Sequence, residues 1–213
     1  MGLRDRILGG MAAQLGRPTG LRGRLVGNML NRANRSATAA AIDALDLKPG
    51  GVAADVGFGG GVGLALLLER VGPEGRVHGV DLSPTMVRRA AGRFKREIAS
   101  GRLHLHSGSI TQLPLEDRSI QGAITVNTIY FVEELDRAFS ELARVITSSG
   151  RVVVGIRDPE VMARAPFTAF GFRLRPVNEV IGVAKSNGLA LQELRVDGHG
   201  DGAMQLLVFG HAL

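Results

Sequence analysis

The 213-residue sequence contains no cysteine and no tryptophan, has a single tyrosine, and is only 4% aromatic. Without cysteine, disulfides, thiolate nucleophiles and cysteine-rich zinc sites are excluded, and the redox compartment is left open. No apolar run approaches the roughly 18–20 residues that a membrane-spanning helix needs. The first residues lack the continuous apolar core and cleavage site of a secretory signal. A cytoplasmic location is the resulting expectation, with peripheral membrane contact left open. Acidic residues are scarce at the N-terminal end: Arg4, Arg6, Arg17, Arg22, Arg24, Arg32 and Arg35 face only Asp5 among the first 35 residues. The net charge of +6 is carried almost wholly by arginine. Such a segment suits nucleic acid, an anionic surface or an acidic substrate, and equally a solvated face.

A chain of this length fits one compact domain and buries enough surface to stand without metal or disulfide staples. Residues 1–48 read as a helical N-terminal extension, broken at Arg17-Pro18-Thr19-Gly20 and stopped by Lys48-Pro49-Gly50-Gly51. From residue 49 onward the pattern alternates. Apolar runs at 52–56, 76–80, 103–106, 120–126, 151–156, 189–196 and 204–210 read as strands. Helical patterns fall at 62–71, 84–100, 133–146 and 176–187, the second beginning after the cap-like Ser83. Regular β-α-β alternation predicts an α/β fold with a seven-stranded, mostly parallel sheet and helices on both faces. The last two strands follow each other through a glycine-rich turn, so one of them must run antiparallel.

The strongest chemical signal is Asp55-Val56-Gly57-Phe58-Gly59-Gly60-Gly61 at the end of the first strand. Glycines there permit positive φ and let a ligand approach the backbone. Asp81 ends the next strand, 24 residues after Gly57, where a carboxylate can accept from both hydroxyls of a ribose. Several nucleotide-binding folds share this pairing. The strict G-x-G-x-x-G spacing fails at Val62, which weakens a dinucleotide reading, and no Gly-Lys-Ser/Thr follows to make a phosphate-binding P-loop. Asp55 separates the remaining options. A carboxylate beside the loop opposes a pyrophosphate and favours an ammonium or sulfonium, and S-adenosylmethionine carries both cations and no phosphate.

With these residues in place, about residues 48–211 resemble the class I S-adenosylmethionine-dependent methyltransferases in their small-molecule form, whose fold is Rossmann-like. Asp55 through Gly61 match the family's D/E-x-G-x-G-x-G loop, and Val80-Asp81-Leu82-Ser83 its second motif. Ser107-Gly108-Ser109-Ile110 stands where Gly-Asp-Ala is usual. Leu113-Pro114-Leu115-Glu116-Asp117-Arg118-Ser119 resembles L-P-F-x-D-x-S-F, and Leu142 through Ile146 resembles the start of R-V-L-K-P-G-G. The resemblance implies S-adenosylmethionine as cofactor, with Asp55 and Phe58 part of the binding loop and Gly57, Gly59 and Gly61 against the methionine portion. It implies Asp81 on the ribose, Leu82 beside the adenine, Gly108, Ser109 and Ile110 at the adenine edge, and Asn127 at the amino end. Ser109 replaces the usual aspartate; a hydroxyl also accepts a hydrogen bond, without charge assistance. Asn127-Thr128-Ile129-Tyr130 departs from the Asn/Asp-Pro-Pro-Tyr of enzymes that methylate adenine or glutamine nitrogens, which turns the reading away from those substrates.

Methyl transfer is an in-line displacement at an activated carbon, so alignment in a dry pocket is the main task. Tyr130, after the fourth strand, is the candidate acceptor-pocket residue; Phe131 and Phe58 read as pocket wall or core. Arg157, and Phe167, Phe170, Phe172, Arg173 and Arg175 in the segment after it, suit either an acceptor with an apolar body and an anionic group or packing beneath solvated arginines. His78, His104 and His106 read as strand histidines, His199 as a residue of the last turn, and no metal site is expected. The expected function is methyl transfer to oxygen, nitrogen or carbon of a small, lipid-like or sugar-derived acceptor. The alternatives are a nucleic-acid-modifying methyltransferase guided by the basic N-terminus, which the absent Pro-Pro-Tyr disfavours, and a non-catalytic cofactor-binding protein or nicotinamide enzyme on a related fold.

Overall fold

A computed structural model describes residues 2, 5, 6, 8–10, 12 and 34–212. The break expected at residues 17–20 lies outside the described residues. Seven strands form one sheet: β1 Val52–Val56, β2 Arg76–Asp81, β3 Leu103–Ser107, β4 Ile120–Val126, β5 Ile146–Arg157, β6 Leu189–Asp197 and β7 Met204–His211. Their order is β3-β2-β1-β4-β5-β7-β6. β1 to β5 pair in parallel, and β7 pairs antiparallel with both neighbours, so it is the one reversed strand. The order reverses between β1 and β4, and in an open sheet ligands gather outside the carboxyl ends of the strands at that reversal.

The helices are α1 (residues 34–44), α2 (Val62–Val71), α3 (Pro84–Arg93), α4 (Lys95–Ala99), α5 (Leu135–Val145), α6 (Pro159–Ala163) and α7 (Val177–Ser186). One core joins α1, α2 and α3 to the sheet through residues such as Ala41, Ile42, Leu64, Leu67 and Met86. The other lies under α5 and α7, where Phe139 meets the Phe209 ring edge-on at 5.7 Å. In α5 the buried positions Leu135, Ala138, Phe139, Leu142 and Val145 repeat at helical spacing, which is the stripe that the sequence pattern anticipates.

Two elements differ from expectation. The single helix expected over 84–100 is broken at Phe94, whose φ of −106° and ψ of 37° leave helical geometry. Met86, Ala90 and Phe94 are all buried at i, i+4 and i+8. The Phe94 ring lies so close to Gly61 that a Cβ there would meet it at 3.3 Å, and reaching that position takes the chain out of the helix. β5 begins at Ile146, five residues ahead of Arg151. Ile146 pairs with Ile120 and Arg151 with Gly122, so Ser149-Gly150 lies in an irregular bulge inside the strand.

No helix covers the connection from β3 to β4, which is held instead by Arg144 of α5. Its guanidinium donates to the carbonyls of Leu113 and Leu115 at 3.0 and 2.9 Å and to the Asp117 carboxylate at 2.6 Å. Glu141 accepts from Arg144 at 2.7 Å and from the Leu113 N–H at 2.6 Å. These pairings hold the Arg144 pKa above and the Glu141 pKa below their ordinary values. The Leu113–Ser119 and Leu142–Ile146 segments, singled out separately in the sequence, thus meet through one side chain, and Ser109 and Ile110 are fixed at the cavity edge.

Candidate active site

The carboxyl ends of β1, β2, β3, β4 and β5 open onto one cavity of about 500 Å³. Asp55, Gly57, Phe58, Gly59, Asp81, Leu82, Gly108, Ser109, Ile110, Asn127 and Tyr130 all line it. Gly61 stands just behind, at φ 79°, as the N-cap residue of α2.

The glycine loop takes the conformation that its composition requires. Gly57 has φ +80°, and a Cβ on it would lie 2.3 Å from Thr128 Oγ1 and 2.6 Å from Thr128 Cγ2. Gly59 also has positive φ, +48°, yet nothing approaches its Cβ position closer than 4.0 Å. The two glycines therefore do different work: the first admits β4's neighbouring threonine, and the second leaves open space beside the cavity. Gly63, in the first turn of α2, makes room for Asp55, whose Oδ2 would lie 2.2 Å from an added Cβ.

Asp81 closes the loop from the other side. Its Oδ2 accepts from the Gly59 N–H at 2.8 Å and its Oδ1 from the Ser83 N–H at 2.8 Å. Each oxygen keeps one lone pair for a ligand. Burial raises the Asp81 pKa, against the pull of those two backbone bonds. Asp55 is only 5% exposed, and among the described residues its carboxyl group has no hydrogen bond or ion pair. Burial, and secondarily the charge of Asp81, push its pKa up to about 8. A buried acid facing a cavity without a partner is a group awaiting a cation.

Leu82 is 51% exposed on the cavity rim, a large apolar side chain open to a flat ring. The Ser109 hydroxyl lies 2.8 Å from Thr111 Oγ1 and accepts from the Thr111 N–H at 3.2 Å, so part of its capacity is spent locally. Asn127 adopts φ 57°, the left-handed region that asparagine tolerates better than most residues. Its Nδ2 donates to Asn34 Oδ1 of α1 at 3.1 Å.

The far half of the cavity is aromatic. Phe131 and Phe172 meet edge-on at 4.6 Å, Phe167 and Phe172 at 5.6 Å, and Tyr130 lies 5.8 Å from Phe172. The Tyr130 hydroxyl accepts from the Arg157 N–H at 2.6 Å. Burial pushes its pKa up to about 12, so it remains a protonated donor at neutral pH. Arg175 donates to the carbonyls of Ile129, Val132 and Glu133 at 3.3, 2.7 and 3.1 Å, which pins the turn carrying Tyr130 and Phe131.

Asn34, Thr38, Thr111, Thr128 and Met162 line the cavity as well and were not among the expected site residues. A signal for two of them was present: Asn34 and Thr38 are polar, four residues apart, in a stretch otherwise rich in alanine. Thr38 is 4% exposed. His78, His104 and His106 stand apart, stacked on β2 and β3 with ring centroids 5.1 and 5.5 Å apart, and His199 lies in the β6–β7 turn. No group of three or more metal-binding side chains is assembled among the described residues.

Residues 54–154 match the family model described as a methyltransferase domain. Among curated proteins, an uncharacterized 37.1 kDa protein of transposon TN4556 from Streptomyces fradiae is 40% identical over 59% of this chain and 36% of its own length. An arsenite methyltransferase from Halobacterium salinarum is 31% identical over 57% of this chain and 30% of that protein. The matched segments thus span about a third of those two relatives. Among solved structures, geranyl diphosphate C-methyltransferase from Streptomyces coelicolor A3(2), with Mg2+, geranyl diphosphate and S-adenosyl-L-homocysteine, superposes with a TM-score of 0.69. It is 17% identical, over 83% of this chain and 77% of that one, so the likeness is one of fold. The matched stretch runs from within β1 through most of β5 and takes in both Asp55 and Asp81, so over nearly half of its length the chain is similar to methyltransferase domains.

Proposed function

We propose that the protein binds S-adenosylmethionine between the glycine loop and Asp81 and directs its methyl group to a small-molecule acceptor in the aromatic half of the cavity. The observation that carries this reading is Asp55, buried, without a partner among the described residues, and open to the cavity beside the glycine loop. An ammonium and a sulfonium favour its ionised form and are held by it, whereas a pyrophosphate would oppose that ionisation and gain nothing from it. The remaining residues fit the same molecule: Asp81 has lone pairs for two ribose hydroxyls, Leu82 and Ile110 offer apolar surface to adenine, and Asn127 stands near the amino end. When bound, the cofactor supplies a methyl carbon already activated by its sulfonium.

The chain's own contribution is alignment and dryness. Among the described residues, no group in the acceptor half is set up as a strong base. Tyr130 is held protonated, Glu133 is paired with Arg173 at 2.8 Å and Glu134 with Arg137 at 3.2 Å. Tyr130 therefore serves as a donor that orients the acceptor. The arsenite and geranyl diphosphate named for the two similar enzymes support a small acceptor rather than a macromolecule.

Calorimetric titration tests the cofactor assignment. S-adenosylmethionine should bind and NAD should not. With an Asp55 pKa of about 8 the group is mostly protonated at pH 7 in the free protein, and nearby cations favour its carboxylate. Binding should therefore release roughly one proton at pH 7, read as a dependence of the heat on buffer ionisation. Affinity should rise with pH up to about 8 and then level, and Asp55→Asn should abolish the release. Preference for NAD, or an unchanged proton count in that variant, would sink the assignment.

We read residues 1–48 as a cap on the acceptor side of this site. In support, Asn34 and Thr38 line the cavity, and Gly9 lies against the Phe170 ring, 3.5 Å from where its Cβ would stand. Phosphate-driven RNA binding would instead weaken by about one logarithmic unit per neutralised phosphate for each tenfold rise in salt. The full chain should show no such steep slope. Tight, salt-sensitive RNA binding that disappears on deleting residues 1–30, with cofactor affinity intact, would favour a nucleic-acid acceptor.

A further inference from the structure

Of the three arginines that the sequence places near the acceptor side, two are already committed. Arg173 pairs with the Glu133 carboxylate at 2.8 Å, and Arg175 is spent on three backbone carbonyls and on Glu179 at 3.5 Å. Arg157 differs. It sits at the end of β5, half-buried, on the cavity wall. Its guanidinium has no hydrogen bond or ion pair among the described residues, although its charge is felt at the Tyr130 hydroxyl. The neighbouring Asp158 is turned to other partners: it accepts from the N–H groups of Glu160 and Val161 and from Gln205, and makes no ion pair with Arg157 among the described residues.

A half-buried guanidinium with no counter-charge among the described residues, lining the same cavity as Phe131, Phe167 and Phe172, is stabilised when a ligand supplies the anion. Beside it, Tyr130 uses its oxygen to accept from the Arg157 N–H, and its own proton has no acceptor among the described residues. Two donors, one charged and one neutral, therefore sit next to each other on the wall of the cavity that these rings line. We propose that Arg157 is the specificity-determining residue of the acceptor site, seating an anionic group (carboxylate or phosphate) of an acceptor whose body is apolar and packs on the Phe131–Phe172 rings. The planar fork of arginine suits either group, through two parallel hydrogen bonds. This inference rests on the reading of that half of the cavity as the acceptor chamber.

The test uses the full chain and three probes of one shape: 2-naphthoate, 2-naphthyl phosphate and 2-naphthamide, titrated with and without saturating S-adenosylhomocysteine. Both anions should bind at least about tenfold more tightly than the neutral amide, and the tighter of the two identifies the anion class. Arg157→Gln should weaken both anions by roughly tenfold to a hundredfold, as expected for loss of a charged hydrogen-bonding partner, and leave the amide unchanged. Unaltered S-adenosylhomocysteine affinity in the variant verifies its fold, and Arg157→Lys, which keeps charge without the fork, should fall between. Equal binding of amide and anions, absence of binding by all three, or a glutamine variant that holds the anions as wild type does would overturn the proposal. If the anions bind through Arg157 while S-adenosylhomocysteine does not bind at all, the cofactor assignment fails and this one stands.

Discussion

Gly57→Ala is expected to destabilise the protein by about 2–5 kcal/mol and to abolish cofactor binding. Two costs add. A side chain at φ +80° loses roughly 1–2 kcal/mol relative to glycine. The new Cβ would overlap Thr128, whose Oγ1 and Cγ2 lie 2.3 and 2.6 Å from its position, and forcing an extra methyl into a packed place costs about 1–3 kcal/mol. Thr128 can escape only by dragging the end of β4, and with it Asn127, away from the cavity. Urea unfolding and titration with S-adenosylhomocysteine read the two effects. Adding Thr128→Ala removes the two closest atoms and leaves Cβ at 3.0 Å, so it should restore part of the stability and little of the backbone strain. A Gly57→Ala protein with wild-type stability and affinity would show that the loop is not under the constraint described.

The pattern of the sequence reached far into this structure where short-range chemistry decides. β1 and β4 have the bounds that their apolar runs imply, and the capping Ser83 with Pro84 starts α3 as expected, its hydroxyl accepting from the Met86 N–H at 3.4 Å. Glycine spacing located the loop because positive φ is a local demand. Legibility ended where distant parts of the chain decide. Nothing near Phe94 in sequence announces that its ring belongs under Gly61, so the break between α3 and α4 was hidden. Asn34 and Thr38 acquire a role only once α1 docks beside β4. That Arg157 has no partner among the described residues could not be seen until Arg173 and Arg175 had found theirs.

Asp81→Asn is expected to cost roughly a hundredfold in cofactor affinity, from two charge-assisted hydrogen bonds worth about 1.5–3 kcal/mol each, with only partial recovery from the amide. The substitution preserves shape and removes function twice over. Both carboxylate oxygens accept from backbone N–H groups, Gly59 and Ser83, and an amide can present an oxygen to only one of them. Whichever N–H faces the new NH2 is repelled, so the loop loses its tether as the ribose loses its acceptor. Calorimetry should show the loss, and thermal unfolding of the ligand-free variant should change little, because the substitution also relieves burial of a carboxylate beside Asp55. Retention of affinity within about threefold of wild type, less than one neutral hydrogen bond is worth, would remove Asp81 from the cofactor site.

The cavity is divided along the chain as well as in space. Residues 54–154, the stretch matched to the methyltransferase domain, carry Asp55, the glycine loop, Asp81, Ser109 and Asn127. The proposed acceptor half draws on Tyr130 to Glu134 inside that stretch, on Arg157, Met162, Phe167 and Phe172 after it, and Asn34 and Thr38 come from before it. The matched stretch therefore carries the proposed cofactor side of the cavity, and the flanks carry much of its proposed acceptor side. Kinship of acceptor is to be sought at the equivalents of Arg157 and Phe172, the positions that a comparison of the common domain passes over.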